Sequence, residues 1–413
     1  MRLSFLPSNV TPIAIDFGTS SVKLLQSSTD EHAQVVAIDE FEIPDAVRMQ
    51  PERRTAFLLD ELPKALRRGG FKGRKTVCSP QSSQTLVLHM QVPPSEGSAR
   101  EAAIKQQLQA KIGCDPSAVV VRWVDVPGAQ RQGQPGEEVI CFAAAREEIM
   151  RTIELLKKAK LEVVGVHSEP QALIWSFRHL HRRDDDRRTT SMYIDIGWGS
   201  TKVAIANGGE LTFAKSIQVG GRLLDQAVAT RLKCDLVAAH THRIGMAATA
   251  ANPAPKPMPD APGPEEAPAI LRAALAKSVG HSGTATATER RSAKIAAALR
   301  QPVLPSPIPG SETTIDLTEH LDAIADELLM CARYHASLFP GRTVERAIFL
   351  GGESRHVAIC QHIARTLRLP AQLGDPLARL LGPASPRTAA MQNGVCQPGW
   401  AVAAGLCMET LES

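Results

Sequence analysis

At 413 residues and 43% hydrophobic content, the chain is long enough for several domains with substantial cores. A formal net charge of +4 excludes an overall electrostatic case for binding nucleic acid or an anionic membrane. Eight cysteines, at 78, 114, 141, 234, 331, 360, 396 and 407, include no C-x-x-C pair, which argues against zinc and disulfide frameworks and for reduced structural thiols. The opening MRLSFLPSNVTPIAID lacks the apolar core of a signal peptide, and no apolar run approaches the roughly 20 residues that span a bilayer. A soluble, cytoplasmic protein that meets a membrane only through a partner is expected.

Residues 12–26 (PIAIDFGTSSVKLLQ) read as strand, Gly/Ser turn and strand. A third strand at 35–43, an amphipathic helix at 52–68, a short apolar run at 75–79 and an alternating strand at 84–92 follow. The run PPSEGSAREAAIKQQLQAKIG then has helical spacing through Ala103, Ile104, Leu108 and Ile112. Strands at 118–126 and 139–145, a helix at 146–160 and a strand at 161–167 complete a small unit expected over 93–168, inserted after a first half at 10–92. A helix at 169–181 and the mixed charge run 182–188 form a linking segment, 169–190.

The second half, from 191 to 246, repeats the opening: strand, turn, strand, an Asn-Gly-Gly-Glu turn, strand, then a helix expected over 221–238. Residues 247–310 hold 17 Ala and 11 Pro without one aromatic, a composition that reads as linker with two short helical pieces, so 247–312 is set apart as a divergent segment. Order resumes over 313–408, with a helix at 317–338, a strand at 344–350, a helix at 354–367 and a short strand near 370–373.

The chemistry lies in the repeat. Asp16-Phe17-Gly18-Thr19-Ser20-Ser21-Val22-Lys23 aligns with Asp195-Ile196-Gly197-Trp198-Gly199-Ser200-Thr201-Lys202, and Asp, Gly, Ser and Lys coincide in matched strand contexts. Glycine lets a hairpin backbone approach an anion, successive N–H groups make a positive concavity, and Ser and Thr hydroxyls add donors. An Asp at the strand end suits Mg²⁺ reached through water, and Lys23 can neutralise phosphate. Ala347 to Ser354 (AIFLGGES) is strand, double glycine and helix start, which suits a flat ring against the backbone. No P-loop pattern occurs.

These three segments, in this order, resemble the phosphate 1 (15–23), phosphate 2 (194–202) and adenosine (347–354) motifs of the actin and heat-shock chaperone ATPase superfamily. Within it the chain resembles the PilM family of type IV pilus assembly, through DFGTSSVKLL, the inserted segment shared with FtsA, LDAIADELLMCARYHASLFPG, IFLGGESRHVAICQHIARTLRLPAQLGDP and GWAVAAGLCME. The resemblance covers nearly the whole chain except about 240–312. It implies an α/β fold: two ribonuclease-H-like halves around a nucleotide cleft, with a small α+β FtsA-like domain in the first half. It implies ATP and Mg²⁺ as cofactors, held by Asp16, Gly18, Thr19, Ser20, Ser21, Lys23, Asp195, Gly197, Gly199, Ser200, Thr201, Gly220, Gly221, Gly351, Gly352 and Glu353, with Asp16 and Asp195 facing the metal. Glu169 or Gln171 either orients an attacking water or only starts the linking helix. Slow or absent hydrolysis is implied, with a PilN-like inner-membrane tail and other pilus or secretion platform proteins as partners, no nucleic acid, and self-association left open.

Trp198 and Lys202 depart from the small or hydroxyl residues of that family's second turn, and LVAAHTHR stands at 236–243 where an acidic-Leu-Lys segment approaches adenine. An FtsA-like division protein would carry a basic amphipathic tail, whereas AGLCMETLES has no Lys or Arg. A small-molecule kinase would need a catalytic Asp and a substrate pocket that the sequence does not reveal, and a nucleotide-independent scaffold is the remaining alternative. His179, His181, His240 and His242 lack a third ligand at metal spacing. Arg53, Arg54, Arg67, Arg68, Lys72, Arg74 and Lys75 read as a solvated basic face.

Overall fold

A computed structural model describes residues 9–30, 33–113, 115–130, 136–181, 186, 188–250, 315–391 and 394–410. Most of the Ala/Pro-rich segment and of the 182–188 charge run therefore lies outside the described residues. Contacts divide the chain into one unit made of 1–244 and 314–413, and a second of 245–313. The three sheets of the described residues all belong to the first unit.

Two five-stranded sheets repeat one topology. The first comprises β1 (Ile13–Phe17), β2 (Ser21–Ser27), β3 (Val35–Glu42), β4 (Lys75–Ser79) and β8 (Glu162–Val166), in the order β3-β2-β1-β4-β8. The second comprises β9 (Thr190–Ile196), β10 (Thr201–Asn207), β11 (Glu210–Ile217), β12 (Arg346–Leu350) and β13 (Ala371–Leu373), in the order β11-β10-β9-β12-β13. In both, the first three strands form an antiparallel meander and the last two run parallel to the first.

Strand alternation sets which side chains reach the centre. Ile13, Ile15 and Phe17 face Leu58 and Leu62 of α2 (Pro51–Arg68) and Leu155 and Leu156 of α4 (Arg146–Lys158), whereas Ala14 faces the other way. Met192, Ile194 and Ile196 likewise face Ile324 and Leu328 of α8 (Thr318–Leu338) and Ile363 of α9 (Val357–Leu367), while Tyr193 joins Ala14 in a shared central core. Two helices fill that core: α5 (Glu169–Phe177) and α10 (Ala401–Glu409). Every residue of α10 from Ala401 to Cys407 is buried, as an apolar run without a polar face requires. Asp16 and Asp195 lie two residues beyond Ala14 and Tyr193, so the same period carries both carboxylates to the edge of the central core.

The third sheet, β5-β7-β6, is built from β5 (Thr85–Val92), β6 (Val119–Asp125) and β7 (Glu137–Ala145), with α3 (Gly97–Ile112) packed on it through Ile104 and Leu108. This pairing exchanges two strands relative to the sequence reading. The 84–92 strand belongs to the small sheet rather than the first half, and the 161–167 strand is an edge of the first sheet rather than part of the insert. The helix α4 goes with it, because Leu155 and Leu156 bury against α2. The small sheet also touches the second half: the His89 ring stacks on Phe213 at 4.8 Å.

The helix expected over 221–238 is two helices, α6 (Gly221–Leu232) and α7 (Leu236–Ala250). Lys233 takes a left-handed conformation (φ 53°) that ends the first, and Asp235 Oδ1 accepts the Ala238 N–H at 2.8 Å to start the second. The 354–367 helix opens with a 3₁₀ turn at Gly352–Arg355, and extended backbone at His356 separates it from α9. A helix of four residues, α1 (Asp45–Arg48), precedes α2.

Candidate functional site

In the first hairpin Asp16 and Lys23 are cross-strand partners, and the turn between them holds Gly18, Thr19 and Ser20. Buried Arg54 fixes this turn by donating to the Gly18 carbonyl at 2.8 Å and the Thr19 carbonyl at 3.0 Å. Burial, with Arg48 nearby, pulls its guanidinium down to about 10. Arg54 is therefore no part of a solvated basic face. The available signal was its place on the buried stripe of α2, with Leu58, Leu62 and Ala65. Lys23 Nζ donates to Ser21 Oγ at 2.8 Å and so reaches along the turn.

The second hairpin keeps the same register, Asp195 opposite Lys202. The Gly197 N–H donates to the Ser200 carbonyl at 2.9 Å, and the Gly221 N–H returns to the Gly197 carbonyl at 3.0 Å, which ties Gly220-Gly221 to the turn. Thr201 Oγ1 donates to the Val219 carbonyl at 2.8 Å. The two hairpins touch: a Cβ built on Gly199 would lie 2.9 Å from Thr19 Oγ1. Beside them Ser200 Oγ is 2.6 Å from Ser82 Oγ.

Three carboxylates converge below the turns. Asp16, Glu169 and Asp195 are buried, and Lys202 Nζ lies 3.3 Å from Asp195 Oδ2 and 3.5 Å from Glu169 Oε1. Burial raises Asp16, against the pull of Lys23 and Lys202. Burial also pushes Glu169 up to about 7 despite Lys202. Although burial opposes its charge, Asp195 and Glu169 hold the Lys202 ammonium above its ordinary value. Gln171 Oε1 accepts from Ser168 Oγ at 2.8 Å, a local bond at the start of α5.

This donor set does not fit a directly bound Mg²⁺. The ion needs near-octahedral oxygen ligation and keeps several waters, yet an ammonium already stands on two of the three carboxylates. Among the described residues no group of three or more His, Cys, Asp or Glu has metal-binding geometry. His181 bonds Tyr193 Oη at 3.0 Å and His240 pairs with Asp225, so one histidine of each pair is engaged elsewhere.

On the adenosine side Gly351 has φ 88°, and its N–H donates to the Pro398 carbonyl at 3.0 Å. A Cβ there would collide with the Ile196 carbonyl and Asp195 Oδ1, whereas one on Gly352 would meet nothing. Gly352 is thus an open backbone surface. Sequence reasoning missed what lies next to it. Asp225, fully buried, accepts from Trp198 Nε1 at 2.7 Å, Arg243 Nε at 2.7 Å and His240 Nδ1 at 3.0 Å. Arg243 also donates to Glu353 Oε2 at 2.7 Å. The Arg48 and Arg222 guanidinium groups lie 5.0 and 5.9 Å from the Trp198 ring centre. Two of the departures seen in the sequence, Trp198 and the LVAAHTHR helix, are therefore parts of one network.

The family model described as type IV pilus assembly protein PilM matches residues 14–248. Among solved structures, the chain is similar to a PilM-PilN type IV pilus biogenesis complex at 17% identity, with a TM-score of 0.69 over 98% of this chain and 100% of that one. Lower similarity reaches the ethanolamine utilization protein EutJ from Carboxydothermus hydrogenoformans (TM-score 0.48, 12% identity, 98% and 90% covered). It also reaches MreB 5 of Spiroplasma citri bound to AMPPNP (0.42, 11%, 97% and 95%). None of the curated proteins matches the chain. The fold is the actin-like one, and because the matched region runs from the first hairpin past the second over more than half of its length, the chain belongs to the PilM family of type IV pilus assembly proteins.

Proposed function

We propose that the chain is an actin-like scaffold of type IV pilus assembly, or of the related secretion machinery, that holds ATP between its halves and binds the cytoplasmic tail of a PilN-like inner-membrane protein. Family membership supports the pilus reading. The observation that carries the nucleotide is the meeting of the two hairpins, Thr19 against Gly199, each with an Asp–Lys register pair behind it. A triphosphate gripped from both sides closes the halves together, so ATP acts as a conformational ligand. Glu169 is engaged by Lys202 and Gln171 by Ser168, which leaves neither poised for an attacking water and supports little or no hydrolysis.

The partner tail would lie between the first half and the small inserted domain. Among the described residues no helix is long and apolar enough to cross a membrane, so this reading keeps the protein in the cytoplasm and ties it to the inner membrane through its partner. Titration calorimetry with ATP, on the wild type and on Asp16→Ala and Asp195→Ala, should show binding only by the wild type. No binding by the wild type removes the nucleotide from the proposal and leaves the scaffold. A labelled peptide of the PilN-like tail from the same organism should bind by fluorescence anisotropy; if it does not, while a tubulin-like division protein does, the FtsA reading takes its place. A nucleotide-independent scaffold is the second reading, favoured by the Trp198, Asp225, Arg243 and Glu353 network, which satisfies itself beside Gly352.

A further inference from the structure

The two halves carry a lysine at the same place, directly across the ladder from the strand-end Asp. The two side chains do different things. Lys23, still near enough to pull on Asp16, donates to Ser21 Oγ at the edge of the turn, with its Cε 3.6 Å from where a Gly399 Cβ would stand. Lys202 folds back onto Asp195 and reaches Glu169 at the head of α5. One lysine is thus directed at the phosphate turn, and the other is placed among carboxylates.

That second position is where a hydrated divalent ion would bond the same oxygens. Mg²⁺ with its waters cannot share two carboxylates with an ammonium at 3.3 and 3.5 Å. Lys202 cannot easily vacate the place either. Its backbone is paired on both sides, to β9 and to β11, and its residue is only 9% exposed. Its strand neighbours on that face, Ala204 and Ala206, belong to the apolar central core. Withdrawing the ammonium would leave Glu169 and Asp195 buried without their ion-pair partner, which is strongly unfavourable.

We propose that Lys202 is a built-in counter-ion that takes the place of the divalent cation between Asp16, Glu169 and Asp195, so that this chain binds its nucleotide without requiring Mg²⁺. The nucleotide half of this statement rests on the proposed ATP site. The ion half does not, and the two can be tested apart. Lys23 and the backbone N–H groups of the turns then meet the triphosphate directly.

Calorimetry with a non-hydrolysable ATP analogue compares wild type and Lys202→Met in excess Mg²⁺ and in EDTA. Wild-type affinity should change by less than about threefold on chelation, while Lys202→Met should lose about tenfold or more. A loss of about tenfold or more by the wild type overturns the proposal. If the wild type binds no nucleotide in either buffer, the nucleotide reading fails and a Mn²⁺ titration followed by electron paramagnetic resonance on the nucleotide-free protein decides the ion half. There the wild type should leave the free Mn²⁺ signal unchanged, and Lys202→Met should quench it stoichiometrically. Mn²⁺ uptake by the wild type overturns it. Should Lys202→Met fail to fold, the chelation and Mn²⁺ measurements on the wild type stand alone.

Discussion

Gly405 of α10 lies directly against the backbone of Ala172 in α5, so close that a Cβ on Gly405 would collide with the Ala172 carbonyl oxygen. Both helices are buried between the two large sheets and have nowhere to retreat. Gly405→Val should therefore lower stability by about 3 kcal/mol or more, at or above the upper end of overpacking costs, read as a fall in denaturation midpoint. A neutral outcome would show that the helices can separate without loss.

Gly351 and Gly352 are adjacent yet should respond oppositely. Gly351→Ala places a methyl group against Asp195 Oδ1 at a left-handed φ of 88° and should cost about 2–4 kcal/mol. Gly352→Ala projects into open space and should leave the melting temperature within a degree or two, a surface-type change of about 0.5 kcal/mol. Its effect should appear instead as weakened ATP binding. If Gly352→Ala binds ATP as the wild type does, the base does not lie on that backbone.

The network around Asp225 predicts a graded series. Asp225→Ala leaves Arg243, whose side chain is only 4% exposed, with Glu353 as its remaining carboxylate and takes the acceptor from Trp198 and His240, and should cost about 3–5 kcal/mol. Trp198→Phe removes one donor and leaves one acceptor position open, for about 1–2 kcal/mol. Urea titration of the two variants checks the order, and equal costs would mean that Arg243 finds other partners.

His335, 1% exposed and 3.2 Å from Thr212 Oγ1, has its basicity pulled down to about 4 by burial, with His89 and Arg342 adding to it. The folded value lies below the ordinary 6.5, so the native state favours neutral imidazole. Its contribution is complete above pH 6.5 and is lost as pH falls towards 4, by up to about 3 kcal/mol. His335→Gln should flatten stability against pH in that window; an unchanged slope would assign the acid sensitivity elsewhere.

The parts of this protein that were legible in its sequence are those with local period. Short apolar runs mark β1 and β9, and the repeated Asp, Gly, Ser and Lys spacing marks both hairpins. Partnership across long separations was not legible. The strand 85–92 shows its period but not whether it pairs with β4 or β7. Arg243 and Glu353 stand 110 positions apart, and nothing local distinguishes Arg243 from a solvated arginine on the LVAAHTHR helix. Lys202 was noticed as a departure, but its role follows only from Glu169, which α5 brings in from 33 positions upstream. Arg54 lies between these cases: its stripe position was visible, and charge alone argued it to the surface.

The placement of α10 has a consequence for how the molecule is made. Cys407 donates to the Leu25 carbonyl at 3.4 Å and lies 3.8 Å from Thr11 Oγ1, 396 positions away. The inward face of the first sheet is therefore finished by residues translated long after its own strands. Contacts of such high order fold slowly, and until they form, Ala14 and Leu25 face water. A chain lacking residues 401–409 would keep only one of the two helices that fill the core between its large sheets.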